Sequence, residues 1–375
     1  MIQRPRIRFL VPEMPTADQI LPFLHEIDES RCYTNFGPLE RRFAKDIAGK
    51  LCKTNPPYVV TLANATTGLE LAISNLGLKR GARVCIPAFT FVATATAVLR
   101  SGMTLCVADV DPNSWVLTPD IAKDAMKVQS FDAVIVVSTF GAWAEPEAWD
   151  AFVEETGVPV VIDAAAAIGT QVPGRRCPAV YSLHATKALG AGEGGLIAMY
   201  DAEKAAEYQR LTNFGIDTCS PERIVPRAGL NAKLSEYHAA VALASLQTWE
   251  ERFDHRQALY QYYCHAFEAR GISVAIQRFD KPVFHNYMNI RFVDAVPIHK
   301  IQSGLAEAGI ETRRSYLPLI EDHPAFSRAE RLGALSHAEA LASSMISLPF
   351  HAHLSRDEID YVADTLKHAL LQLGL

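Results

Sequence analysis

The chain has 375 residues, 49% hydrophobic and 21% charged, with 36 basic against 42 acidic side chains and a formal net charge of −6. This composition predicts a soluble globular protein of two or three domains, and the acidic balance gives no general reason to bind nucleic acid or a membrane surface. Seven scattered cysteines without a Cys-x-x-Cys pair, an N-terminal stretch lacking an apolar leader, and no apolar run of about 18 residues argue against a disulfide framework, a zinc site, a signal peptide and a membrane span; the expected compartment is the cytoplasm.

From about residue 57 to 200, short apolar runs alternate with helix-like segments. YVVTLA (58–63), RVCIP (83–87), MTLCVADV (103–110), DAVIVVS (132–138), VPVVID (158–163) and GGLIAMY (194–200) read as buried strands. TTGLELAISNLGL, FVATATAVLRSG and PEAWDAFVEETG read as the helices between them. The alternation predicts an α/β domain with a largely parallel sheet covered on both faces, and ligands in such sheets sit beyond the carboxyl ends of the strands. After about residue 233 the texture changes to one long helical stretch, SEYHAAVALASLQTWEERFDHRQALYQYYCHAFEARG. A strand candidate (NYMNIRFVD, 286–294), a helix (IHKIQSGLAEAG), a turn into ETRRSY and a final amphipathic helix (SRDEIDYVADTLKHALLQL) follow. The expected division is a large α/β domain over 1–250 and a smaller α+β domain over 251–375.

The stretch SLHATKALGAGEGG (182–195) contains Gly190-x-Gly192-x-x-Gly195, which invites a dinucleotide-binding reading. That motif needs a strand before its first glycine and a helix after its last. Here a lysine loop precedes the glycines and LIAMY, a strand candidate, follows them, so a tight return into a strand fits better. No Gly-Lys-Ser/Thr occurs, which excludes a Walker A loop.

The same stretch sets Lys187 among Ala185, Thr186, Ala188 and Leu189. A lysine that forms a Schiff base needs an unobstructed approach and a setting that favours its neutral amine; a solvated surface lysine is the plainer reading of Lys187 alone. Asp163 closes the apolar run GVPVVID, 24 residues earlier. A carboxylate at a strand's carboxyl end can keep a pyridine nitrogen protonated, making the ring an electron sink; it can equally cap the turn that follows. If the ring belongs to pyridoxal phosphate, a phosphate seat is also required. TLANATTGLELA (61–72) offers one, with the N–H groups of Ala65 and Thr66, the Thr66 hydroxyl and a helix dipole, although Asn64 or Thr66 could instead serve only as a helix cap. Ser182 and Asn231 are further donors. Phe91, after the strand RVCIP, is placed either to stack on a planar ring or to fill the core.

Together YTNFGPLERRFA (33–44), ANATTGLELA (63–72), PAFTFVATATAV (87–98), VVIDAAAAIG (160–169), SLHATKALGAGEGG, GLNAKLSEYHAA (229–240) and SLPFH (347–351) resemble the DegT/DnrJ/StrS-type sugar aminotransferases, pyridoxal phosphate enzymes of fold type I. The resemblance runs in order over nearly the whole chain. It implies that Lys187 carries the cofactor as a Schiff base and that Asp163 pairs with the pyridinium nitrogen. Phe91 would stack on the ring, Ala65, Thr66 and Ser182 would hold the phosphate, and Asn231 would reach the neighbouring subunit's phosphate in a homodimer with shared active sites. It further implies transfer of an amino group, from L-glutamate, to a nucleotide-linked keto-6-deoxy sugar of the dTDP type, with pyridoxamine phosphate between the half-reactions. Arg313 or Arg314 and His184 are candidates to meet substrate; His351 and His353 have no companions that would make a metal site. Differences from many relatives fall on the substrate side: Ala166 in place of Gln or His, Asn231-Ala232-Lys233 in place of Asn-Tyr-Arg, and Pro318-Leu319-Ile320 in place of Pro-Leu-His. A sister reaction, sugar 3-dehydration, uses histidine at the Schiff-base position, and Lys187 favours transamination. The competing readings are another fold-type I reaction, such as a sugar dehydratase or a lyase, and a non-catalytic regulatory protein that keeps the fold.

Overall fold

The computed structural model describes residues 6–293 and 295–374; residues 1–5, Asp294 (the end of the strand candidate NYMNIRFVD) and Leu375 lie outside the described residues. In the first half the elements run α1 (Ala17–Ser30), α2 (Pro38–Leu51), β1 (Tyr58–Leu62), α3 (Ala65–Ser74), β2 (Arg83–Pro87), α4 (Val92–Arg100), β3 (Thr104–Ala108), α5 (Pro119–Val128), β4 (Ala133–Val137), α6 (Pro146–Thr156) and β5 (Val160–Asp163). There follow β6 (Ala179–Ser182), β7 (Gly195–Met199), α7 (Ala202–Thr212), α8 (Glu236–Gln247), α9 (Trp249–Ala269), β8 (Ala275–Ile276) and β9 (Met288–Arg291). The chain ends with α10 (Ile298–Glu307), β10 (Glu330–Arg331), α11 (Ser336–Ser344), β11 (Met345–Leu348) and α12 (Arg356–Gln372). Among the described residues no helix is long and apolar enough to cross a membrane.

All six expected strands of the first half form, and β6 joins them. The large sheet has the order β1-β7-β6-β5-β4-β2-β3-β10, and only β7 runs antiparallel to its neighbours. Alternation along a strand sends successive side chains to opposite faces: Val134 and Val136 of β4 enter one hydrophobic core and Ile135 the other. Both faces are therefore covered, which explains why these strands read as continuous apolar runs. The long helical stretch is two helices, with a break at Thr248, whose hydroxyl donates back to Ser245 O (3.4 Å) at the end of α8 and does not cap α9.

A second sheet, β11-β9-β8, is antiparallel. With α9, α10 and α12 it builds a third core, which also takes in Ile7 from the N-terminal segment. Between α10 and β11 the chain turns back to the large sheet: β10 pairs with β3, and Leu319, Ile320 and Phe326 enter a core of that sheet.

Two buried imidazoles in the C-terminal half predict acid sensitivity. His285 stacks on Tyr260 at 3.7 Å with the rings 5° from parallel; burial, aided by the Arg256 guanidinium, lowers its pKa to about 3. Burial, then His353, lowers His351 to about 4. Both are neutral when folded but take up protons near pH 6.5 when unfolded, so the stability they contribute is present above that pH and is lost as pH falls toward the folded values. Between pH 7 and pH 5 each imidazole should remove about 2 kcal/mol. Thermal denaturation at the two pH values checks this: His285→Phe should cut the loss by about half, and an unchanged loss in His285→Phe, His351→Phe would show that other groups carry it.

Candidate active site

A cavity of about 520 Å³ opens beyond the carboxyl ends of the parallel strands. Asn64 lies just after β1, Thr90 after β2, Ser138 after β4, Asp163 at the end of β5 and Ser182 at the end of β6, and all of them line it. Lys187, Ala65, Thr66, Phe91, Asp163, Ser182, His184 and Arg313 share this one cavity.

The lysine loop is a tight return. Leu183 N–H donates to Gly194 O (2.9 Å), Ala185 N–H to Gly192 O (3.0 Å) and Ala191 N–H to Leu183 O (2.7 Å), and the chain then enters β7. From below, Ser245 of α8 donates to Gly190 O (2.6 Å) and Arg252 of α9 to Ala188 O (3.1 Å). The Lys187 N–H donates to His184 O (2.8 Å), while no hydrogen bond or ion pair among the described residues holds its ammonium group. The glycines serve this packing. Gly195 stands in register between Leu62 of β1 and Ser182 of β6, and a methyl group there would lie 2.7 Å from the Ala65 nitrogen. Its lack of a side chain lets the start of α3 close onto the sheet.

That start offers an anion its unpaired N–H groups. Asn64 is the N-cap, its side-chain oxygen accepting from the Thr67 N–H at 2.8 Å. The capping role thus falls to Asn64, and the Ala65 and Thr66 N–H groups, in the first helical positions, have no acceptor within the helix. The Ser182 oxygen accepts from the His184 N–H at 3.2 Å, which leaves the serine proton free to donate. Two backbone donors, two hydroxyls and the positive end of α3 fit a phosphate.

Asp163 is 4% exposed. One carboxylate oxygen accepts from the Thr94 hydroxyl at 2.8 Å and the other, capping the turn, from the Ala165 N–H at 3.2 Å, while the residue lines the cavity. Burial raises its pKa; the Thr94 and Ala165 hydrogen bonds and the Lys187 charge oppose the rise. A buried carboxylate whose cationic counterpart is half-buried Lys187 suits a ring cation brought in by a ligand. Phe91 is 59% exposed and so is not core; its ring edges the cavity 6.4 Å from that of Tyr316. The residues present therefore fit a flat, phosphorylated pyridine with a carbonyl in reach of Lys187.

His184 Nδ1 lies 2.8 Å from the Thr186 hydroxyl and 3.3 Å from the Thr186 N–H, and its Nε2 is 3.8 Å from Glu193. Arg313 lies over the Phe9 ring at 4.7 Å and 3.6 Å from Glu311. Arg314 instead donates to the carbonyls of Ala342 and Ser343 at the end of α11, outside the cavity. Asn231 is exposed, does not line this cavity, and accepts from Lys233 at 2.7 Å. His351 is packed in the C-terminal half beside His353. Sequence reasoning missed Thr94, Glu193, Tyr287 and Tyr316. Tyr316 stacks on Phe140 at 5.2 Å, 2° from parallel, and burial, then Tyr287 and Asp163, holds its phenol well above the usual range.

Comparison with known proteins agrees with this geometry. The profile of the DegT/DnrJ/EryC1/StrS aminotransferase family matches residues 16–367. Protein Rv3402c of Mycobacterium tuberculosis H37Rv is 30% identical, with 97% of this chain and 90% of that protein covered. The dTDP-4-amino-4,6-dideoxy-D-glucose transaminase of Shigella dysenteriae is 28% identical over 95% of this chain and 97% of its own. The crystal structure of DesI in the presence of its TDP-sugar product superimposes with a TM-score of 0.86 at 30% identity, covering 100% of this chain and 96% of that one. With its fold of type I and a cavity that fits pyridoxal phosphate, the chain belongs to the DegT/DnrJ/EryC1/StrS aminotransferase family and is a pyridoxal-phosphate-dependent sugar aminotransferase.

Proposed function

We propose that the protein transfers an amino group from L-glutamate to C3 or C4 of a dTDP-linked keto-6-deoxy sugar in the cytoplasm. The observation that supports this most is the convergence of Lys187, Asp163 and the start of α3 on one cavity. When bound, pyridoxal phosphate supplies a carbonyl for amine exchange and a ring that takes up an electron pair. The chain's residues do the rest. Ala65, Thr66 and Ser182 hold the phosphate, Phe91 covers the ring, and Asp163 keeps a proton on the ring nitrogen. With that group bound, the Lys187 Nζ would be placed to take a proton from the donor's α-carbon and to give it back. His184 and Arg313 contact substrate from the cavity rim. Exposed Asn231 serves the neighbouring subunit's phosphate seat in a homodimer. The cofactor unit is residues 1–250 and the unit that closes the substrate side is 251–375.

Purified protein loaded with cofactor should release 2-oxoglutarate on mixing with L-glutamate and then convert a dTDP-4-keto-6-deoxy sugar to an amino sugar, followed by mass spectrometry. Preference for UDP- or GDP-linked keto sugars would overturn the nucleotide assignment. Loss of water without gain of nitrogen would overturn transamination.

A further inference from the structure

The first turn of α4 carries a second device besides the Phe91 ring. Thr94 lies three residues on, on the same helix face, 1% exposed, and its hydroxyl is 2.8 Å from Asp163 Oδ2 and 3.2 Å from the hydroxyl of Thr90, itself 2% exposed. A hydroxyl has one proton to give. An ionised carboxylate only accepts, so Thr94 donates to Asp163 and must therefore accept from Thr90. The three side chains form a one-way chain, Thr90 to Thr94 to Asp163, ending on the carboxylate that faces the cavity. The positive end of α4 lies on the same side.

We infer that Thr94, backed by Thr90, is a positioning residue that keeps Asp163 ionised and fixes the oxygen it presents to the cofactor's ring nitrogen. The inference rests on the reading of Asp163 given above. Burial alone drives the carboxyl toward its neutral form, and a neutral Asp163 no longer holds the ring nitrogen as a cation. Thr94 opposes this with a charge-assisted hydrogen bond that costs no net charge in the cavity. Thr90 removes the remaining freedom of the Thr94 hydroxyl to turn away.

The test uses holoenzyme reconstituted with pyridoxal phosphate carrying ¹⁵N in the ring, comparing wild type with Thr94→Val, Thr94→Ser, Thr90→Val and Asp163→Asn. In Thr94→Val the ring-nitrogen shift should move toward the unprotonated position as it does in Asp163→Asn. The rate of the L-glutamate half-reaction should fall about ten- to a hundredfold, the range of a hydrogen bond to a charged group. The acid limb of its pH profile should shift to higher pH, because removing the donor makes Asp163 easier to protonate. Thr94→Ser should restore the shift and the profile, and Thr90→Val should show the same changes to a smaller degree. If Asp163→Asn moves the nitrogen shift while Thr94→Val leaves shift and profile at wild-type values, the inference fails and the reading of Asp163 stands. If Asp163→Asn also leaves the shift unchanged, that reading itself fails. Should Thr94→Val not load cofactor, Thr90→Val decides: an unchanged shift and pH profile there overturns the chain.

Discussion

Lys187→Ala is expected to lower kcat by at least about a thousandfold, because in the proposed mechanism one amine serves both as the covalent attachment point and as the proton carrier, and proton transfer alone is worth factors of about 10² to 10⁴. The loss should not come from misfolding. The backbone at 187 is held by its own N–H on His184 O, and the loop is pinned by Ser245 and Arg252 through the carbonyls of Gly190 and Ala188. None of these bonds uses the lysine side chain, so the melting temperature of the variant should stay within a few degrees of wild type. The phosphate seat at α3 is also untouched, so the variant should still take up the cofactor without a covalent bond. Borohydride reduction followed by peptide mass spectrometry separates the two states. Wild type should gain a stable adduct on the peptide containing Lys187 and the variant none. Lys187→Arg should behave like the alanine variant, since a guanidinium does not give up its proton in a protein. Activity of Lys187→Ala within tenfold of wild type would remove Lys187 from the chemistry.

The residues that were legible in the sequence are those whose role is local. Asp163 announces itself because an apolar run ends on a carboxylate, and the anion seat because a strand, Asn64 and a helix follow within a few residues. Lys187 alone reads as a solvated lysine; its partners and the family resemblance single it out, and the structure puts it in the cavity lining. Of the two roles open for Asp163, the turn cap is seen in the Ala165 hydrogen bond, and the carboxylate also lines the cavity, where its part in the chemistry is the proposal above. β6 escaped notice because four residues, Ala179–Ser182, are too short for a periodic signal, and the break at Thr248 because the helical pattern runs through it on both sides. Tyr287 and Tyr316 reach the cavity from the C-terminal half, just before β9 and through the segment that folds back toward the large sheet, and no spacing in the chain encodes that return. Thr94 was readable: it lies one helical turn after Phe91, and a pair three apart on a helix shares a face. Ala166, expected to bear on substrate contacts, lines the cavity, where a small side chain leaves room that a glutamine would fill.

For Asp163→Asn, opposite effects are expected with and without cofactor. In the empty protein the carboxylate is buried and its pKa is raised, chiefly by burial. For a group raised in the folded state, the stabilising contribution exists below the unfolded pKa and disappears as pH rises through the folded one, so at pH 7 the ionised Asp163 costs stability rather than adding it. An asparagine of the same shape carries no buried charge; with its Oδ1 on the Ala165 N–H and its amide N–H on the Thr94 hydroxyl, which then donates to Thr90, the cofactor-free variant should melt at the same temperature as wild type or higher. Cofactor binding reverses the order. In the proposed arrangement the wild-type carboxylate would then meet a cationic ring nitrogen, whereas in the variant that nitrogen would lose its counter-charge. Breaking a buried pair in this way costs about 3–5 kcal/mol, which at 1.36 kcal/mol per decade corresponds to a fall of roughly a hundred- to a thousandfold or more in turnover if the pair is fully engaged during proton transfer. Melting curves with and without pyridoxal phosphate, together with kcat, check both halves. The variant should gain distinctly less from the cofactor than wild type does. An equal gain, with kcat within threefold of wild type, would mean that Asp163 only caps the turn to Ala165 and that the ring is held by its phosphate alone.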